Sequence, residues 1–141
     1  MTILFDKQHP KSLIEAIQLL QNLDGSDTYT VLHYDSSTND EELQNPVLFR
    51  IDKQKRGLEP VTEILYENGF RVVALKLSEK RKWSLYDISL AIIGLWPKAI
   101  ELLKEKNTPF IYKCNSKLDK LIAVKEWLAI INSLNLKWAL N

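Results

Sequence analysis

Short β-rich apolar runs alternate along this chain with segments whose apolar residues recur at helical spacing, and that alternation limits the fold more than any other feature. Thr2 to Phe5 is a brief β-rich run that stops at Asp6. Pro10 and Ser12 open a segment carrying Leu13, Ile14, Ile17 and Leu20 on one stripe, which predicts an amphipathic helix ending near Asp24-Gly25. Tyr29 to His33 reads as a second strand, YDSSTNDEEL as a loop with one helical turn at Asp40 to Gln44, and Val47 to Ile51 as strand three. Pro60 stands at a first helical position and Gly69 at the matching C-terminal cap. Phe70 to Leu77 follows as strand four. Ser84 caps a further helix with Leu85, Ile88, Ile92 and Leu95 at helical spacing, and Pro97 predicts a kink or a break there. Pro109 to Tyr112 is a fifth, shorter strand. Ser116 to Leu134 predicts a last helix, with Leu118, Leu121, Ile122, Trp127, Leu128 and Ile131 facing inward.

This order predicts an α/β fold, a three-layer sandwich in which a mainly parallel sheet of about five strands carries helices on both faces. Strands three and four are nearly continuous in apolar residues, as buried parallel strands are. The 141 residues suit a single domain, 1–141, able to bury roughly two-thirds of its unfolded surface. The longest apolar run, ISLAIIGLW, is about half of what a membrane span needs, and MTILFDKQHP is charged too early for a signal peptide. The expectation is a cytoplasmic protein with no membrane partner. Nineteen basic residues nearly cancel eighteen acidic ones, so a nucleic-acid partner would need a local patch. Cys114 is the sole cysteine, which excludes an internal disulfide and a thiolate metal cluster.

Three strands each close on an aspartate: ILFD, VLHYD and FRID. Parallel strands present their carboxyl ends along one edge, where ligands bind, so Asp6, Asp35 and Asp52 project toward a common crevice. The acidic loop with Asp40, Glu41 and Glu42 can reach the same edge. Carboxylates gathered in a small space repel each other unless a cation neutralises them, and Mg²⁺ or Mn²⁺ is the natural guest for oxygen ligands. The competing reading is plain: aspartate is common after strands because it caps turns and helix starts. Lys53, Lys55 and Arg56 after Asp52, with Lys76, Lys80, Arg81 and Lys82 after strand four, suit a phosphate backbone, or else a solvated surface. His9 and His33 lack metal-ligand spacing and read as hydrogen-bonded surface or strand-end residues. No Gly-rich turn follows strand one, which argues against a dinucleotide enzyme or a P-loop NTPase.

The stretches ILFDKQHPKSLIEAIQLL, VLHYDSSTNDEEL, FRIDKQKRGLEPVTEILYENGFRVVAL and KWSLYDISLAIIGLWPKAIELL together resemble PIN-like domains related to VapBC-type toxins, over roughly residues 3 to 121. The matching features are a strand ending in aspartate before a helix, a second strand leading into a D-x-E loop, a third aspartate followed by a basic helix start, and a Trp-Pro segment. The resemblance implies a metal-dependent endoribonuclease, the toxin component of a toxin–antitoxin pair, neutralised by an antitoxin protein. The family's catalytic and metal-binding acids would fall on Asp6, on Asp40 or Glu42, and on Asp52, and Lys53, Lys55 and Arg56 would position RNA. Where the family tends to place a glutamate early in the helix after the third aspartate, this chain has Val61, flanked by Glu59 and Glu63 as candidate metal ligands. Arg50 replaces a small residue before Asp52, where it could salt-bridge a carboxylate, and the stretch between Glu42 and Asp52 is short.

Two further readings follow. One is a catalytically inactive PIN-like interaction module binding a protein partner, or forming a homodimer, through the C-terminal stretch with Leu136, Trp138 and Leu140. The other is a nucleotide- or small-ligand-binding domain of flavodoxin-like order.

Overall fold

The structure, a computed structural model, describes residues 2–6, 8–24, 30–34, 46–52, 56–77, 82–115 and 117–126. It is an α/β fold built on one six-stranded sheet in the order β2-β1-β3-β4-β5-β6. The strands are β1 (Thr2–Phe5), β2 (Thr30–His33), β3 (Val47–Asp52), β4 (Arg71–Lys76), β5 (Phe110–Cys114) and β6 (Leu121–Glu126). The first five pair in parallel, and β6 pairs antiparallel with β5. The helices are α1 (Lys11–Asp24), α2 (Pro60–Glu67) and α3 (Leu85–Glu105). Among the described residues no helix is long and apolar enough to cross a membrane.

Strand residues alternate between two cores. Ile3, Phe5, Phe49, Ile51, Val73, Phe110 and Tyr112 face one side, where α1 adds Leu13, Ile14 and Ile17, and α3 adds Ile88, Ile92, Leu95 and Leu103. Leu4, Leu48, Val72 and Ile111 face the other, beneath Tyr66 of α2. The layers are therefore α2, the sheet, and α1 with α3. Leu20, expected on the buried stripe of α1, is instead about half exposed.

This division has a topological consequence. The steps β3→β4 and β4→β5 run the same way across the sheet, yet their helices lie on opposite faces, so the two crossovers have opposite hands. The β1→β2 step runs the other way with α1 on the α3 side, and it shares the hand of the α2 crossover. Among these three described crossovers that of α3 stands alone, so they do not all obey the right-handed preference of parallel strand–helix–strand units.

Local chemistry explains the helix ends. Pro60 opens α2, where a missing N–H costs nothing. Gly69, at φ +93°, closes it: Gly69 N–H donates to Tyr66 O at 3.0 Å and Phe70 N–H to Leu65 O at 3.0 Å, the two bonds of a Schellman motif. A capping box starts α3, with Asp87 N–H donating to Ser84 Oγ at 3.1 Å and Ser84 N–H to Asp87 Oδ2 at 3.2 Å. Pro97 does not split α3, which runs unbroken from Leu85 to Glu105. Its buried residues before the proline (Ala91, Ile92, Leu95) and after it (Ala99, Leu102, Leu103) enter one core, and that packing outweighs the roughly 3 kcal/mol that an internal proline costs.

The expected helix from Ser116 to Leu134 is overturned where the structure describes it: residues 121–126 form β6. Asn115 makes the reversal. Its Oδ1 accepts from Asp119 N–H at 2.9 Å and Lys120 N–H at 3.0 Å, while Leu118 takes a left-handed φ of +58°. LIAVKE, with β-branched Ile122 and Val124, then suits an edge strand. Lys106 and the Tyr112 hydroxyl both donate to Glu126, and these bonds hold the Glu126 carboxyl below its usual pKa. On the other face Lys125 lies 3.3 Å from Glu63 and over the Tyr66 ring. Trp127, Leu128, Ile131, Leu136, Trp138 and Leu140 lie outside the described residues.

Arg71 closes the far end of α3. Its buried guanidinium donates to Leu103 O at 3.3 Å and Lys106 O at 3.0 Å, placing positive charge at the negative end of the helix. Arg71→Met should lower the unfolding free energy by about 2 to 3 kcal/mol, because buried carbonyls lose charge-assisted partners. Urea denaturation reads this directly, and a loss below about 0.5 kcal/mol would show that the guanidinium contributes nothing there.

Candidate functional site

The chain steps from β1 outward to β2, then returns past β1 to β3, so the crevice at the carboxyl ends of β1 and β3 is the switch point of the sheet. Asp6 leaves β1 at that point and Asp52 ends β3. Strand alternation assigns Asp6, Arg50 and Asp52 the same parity as Leu4 and Leu48, the face covered by α2.

Asp6 is held from both sides. Its Oδ1 accepts from Gln8 N–H at 3.1 Å and lies 2.8 Å from His9 Nδ1. Its Oδ2 accepts from Ile51 N–H at 3.1 Å, which ties the end of β1 to the residue before Asp52. Asp52 is fully buried, and its Oδ2 accepts from Glu59 N–H at 2.8 Å. Glu59 is the N-cap residue of α2 but makes no side-chain cap of its own. Asp52 therefore serves the start of α2 from a distance, at the end of the helix that favours negative charge.

Arg50 forms an ion pair with a carboxylate, as its position suggested, and the partner is Glu59, with Nη2 to Oε2 at 2.9 Å. The pair stands at the mouth of the crevice, with the arginine side chain 9% and the glutamate 27% exposed. Buried Thr62 lies on the first turn of α2. Lys76 faces Asp52 in the strand register and donates to Gly57 O, so a cation stands beside the acidic end of β3. Glu63 turns toward β6 and Lys125. Arg56 and Lys82 are exposed. Asp35, Asp40, Glu41, Glu42, Lys53, Lys55, Lys80 and Arg81 lie outside the described residues.

Of the candidate metal ligands, the described structure thus brings Asp6, Asp52 and Glu59 to one edge and leaves Glu63 on another contact. Among the described residues no three His, Cys, Asp or Glu side chains are grouped to hold a metal ion. The donor chemistry of the aspartates still suits a hard cation. A carboxylate offers about four lone-pair directions, and three N–H groups account for three of those on Asp6. Mg²⁺ sites commonly use one or two carboxylates, completed by water and substrate phosphate.

The sequence reading missed His9. It is not a surface residue: its side chain is fully buried and lies against Asp6. The spacing Asp6–His9 just before Pro10 and the start of α1 was the available signal, and only a turn reverses the chain tightly enough to use it.

The remote cap on α2 can be tested. Asp52→Ala should cost about 1 to 2 kcal/mol, the usual loss when a capping acceptor is removed, and Asp52→Asn less than half of that because its carbonyl oxygen still accepts. Equal losses in urea denaturation would show that charge, not the hydrogen bond to Glu59, is what matters at this position.

Comparison with protein-family models, with curated proteins and with solved structures returns no match.

Proposed function

We propose that the protein is a PIN-like, divalent-metal-dependent endoribonuclease acting in the cytoplasm as the toxin of a toxin–antitoxin pair. The observation that supports this most is the placement of Asp6 and Asp52 at the carboxyl ends of the neighbouring strands β1 and β3, with the Asp6 carboxylate bonded to the backbone of β3. Asp6 and Asp52 would hold Mg²⁺ or Mn²⁺, with Asp40 or Glu42 completing the set and Glu59 close by. Once bound, the ion supplies Lewis-acid charge to a phosphoryl oxygen and an acidified water. The chain's own contribution is to fix two carboxylates on a rigid edge and to present cations around it. Lys53, Lys55, Arg56 and Lys76 would attract the RNA backbone without reading its sequence.

A second reading has one specific observation in its favour. The Arg50–Glu59 pair places a protein cation among the acids, where it can substitute for a metal, and a PIN-like scaffold so plugged would serve as an interaction module for a protein partner. A nucleotide-binding domain is the weakest reading. The strand order 2-1-3-4-5 matches doubly wound sheets of the flavodoxin-like type, but the turn after β1 has no glycine and α3 lies on the opposite face from α2.

Purified protein with Mn²⁺ should cleave RNA, EDTA should abolish the cleavage, and Asp6→Asn or Asp52→Asn should each reduce it by about a hundredfold or more. Cleavage that persists unchanged in both variants overturns the nuclease reading. A wild-type protein that neither cleaves RNA nor binds Mn²⁺ favours the interaction module instead.

A further inference from the structure

The Asp6 carboxylate is gripped by a turn that looks built for it. After β1 the chain reverses at once: His9 N–H donates to Asp6 O at 3.2 Å, and Pro10 leads directly into α1. The reversal drives the His9 ring inward until its side chain has no solvent exposure, in a T-shaped contact with Phe5 at a centroid distance of 4.8 Å and an interplanar angle of 81°. Nδ1 then lies 2.8 Å from Asp6 Oδ1. The Nδ1 tautomer of the ring donates along this contact, with the carboxylate oxygen as acceptor. Gln8 N–H reaches the same oxygen, and Ile51 N–H reaches the other.

From this geometry we infer that His9 is a positioning residue for Asp6: it fixes the plane of the carboxylate so that Oδ2 is presented toward β3 and a hard divalent cation. The inference rests on the metal-site reading above. His9 acts through Asp6 because its Nδ1 is already committed to that carboxylate. A buried polar ring is costly unless hydrogen-bonded, and Asp6 supplies that bond. An aspartate terminal torsion is broad and left alone samples many orientations. Donors on both oxygens remove that freedom before any ligand arrives, which raises affinity by lowering the ordering cost of binding. Outer-shell partners of this kind typically change metal affinity by about 10- to 100-fold when removed.

The experiment measures Mn²⁺ affinity, by calorimetry or by the loss of the free-ion electron paramagnetic resonance signal, in the full chain. His9→Phe keeps a ring against Phe5 but has no donor, and His9→Asn places an N–H near the position of Nδ1. Circular dichroism and thermal melting confirm folding of each. The expected result is binding weakened about 10- to 100-fold in His9→Phe and restored to within about threefold of wild type in His9→Asn. Equal affinity in wild type and His9→Phe overturns the inference while leaving the metal site standing, as does an equal loss in Phe and Asn variants, which would mean that ring packing alone matters. A wild-type chain that binds no Mn²⁺ removes the metal site and this role together. Should His9→Phe fail to fold, His9→Gln replaces it, since its donor is displaced by one methylene. Asn binding about tenfold tighter than Gln supports the assignment, and Asn binding no tighter than Gln overturns it.

Discussion

Everything at the sheet's carboxyl edge depends on an aromatic stack buried beneath it. Phe5 and Phe49 lie side by side on β1 and β3, with centroids 4.9 Å apart and planes 18° from parallel. Trp96 of α3 covers both, at 6.1 Å from Phe5 and 5.4 Å from Phe49. Rings of this size bury roughly 150–250 Å² each and dominate the energetics of a core. Each phenylalanine immediately precedes a polar residue of the crevice, Asp6 after Phe5 and Arg50 after Phe49. Period-2 alternation sends those neighbours to the opposite face. The stack therefore sets where the acids stand, even though no aromatic ring needs to touch them.

The unusual crossover of α3 gives that stack its lid. Had α3 followed α2 onto the same face, Trp96 would lie on the side of Leu4 and Leu48, and the Phe5–Phe49 pair would have no indole above it. Instead Trp96, near the middle of the helix, meets Phe5 of β1 and Phe49 of β3 while the helix end reaches Arg71 on β4. Continuity through Pro97 is part of this. A helix broken there could not deliver both Trp96 and the carbonyls of Leu103 and Lys106 as parts of one rigid rod.

The sequence made the parallel core legible because strong local signals agreed with tertiary demand. Pro60, Gly69 and Ser84 each stand where the structure uses them, and the apolar runs of β3 and β4 match their full burial. The C-terminal error has a definite cause. Leu118, Leu121 and Ile122 fit helical spacing, but short apolar runs fit two periods, and the Asn115 turn decided between them. The break that Pro97 allows does not occur for a similar reason, since its local penalty is set against packing that only the folded chain displays. At the site, Asp6 and Asp52 could be found from strand ends alone. The Arg50–Glu59 pair was half visible: the arginine could be seen to want a carboxylate, but its choice depended on where α2 began. His9 left only its spacing from Asp6 as a signal, because nothing in composition or periodicity reports how sharply a chain turns after a strand.

The bond from Glu59 N–H to Asp52 joins two roles in a single carboxylate. It terminates a strand and it secures the first turn of a helix that packs across β4 and β5. A guest that drew this side chain away would have to let that turn fray, and by thermodynamic reciprocity any change that stiffens the turn must loosen the guest by the same factor. For such a guest alone, occupancy of the crevice and order in the helix above it would be two readings of one equilibrium.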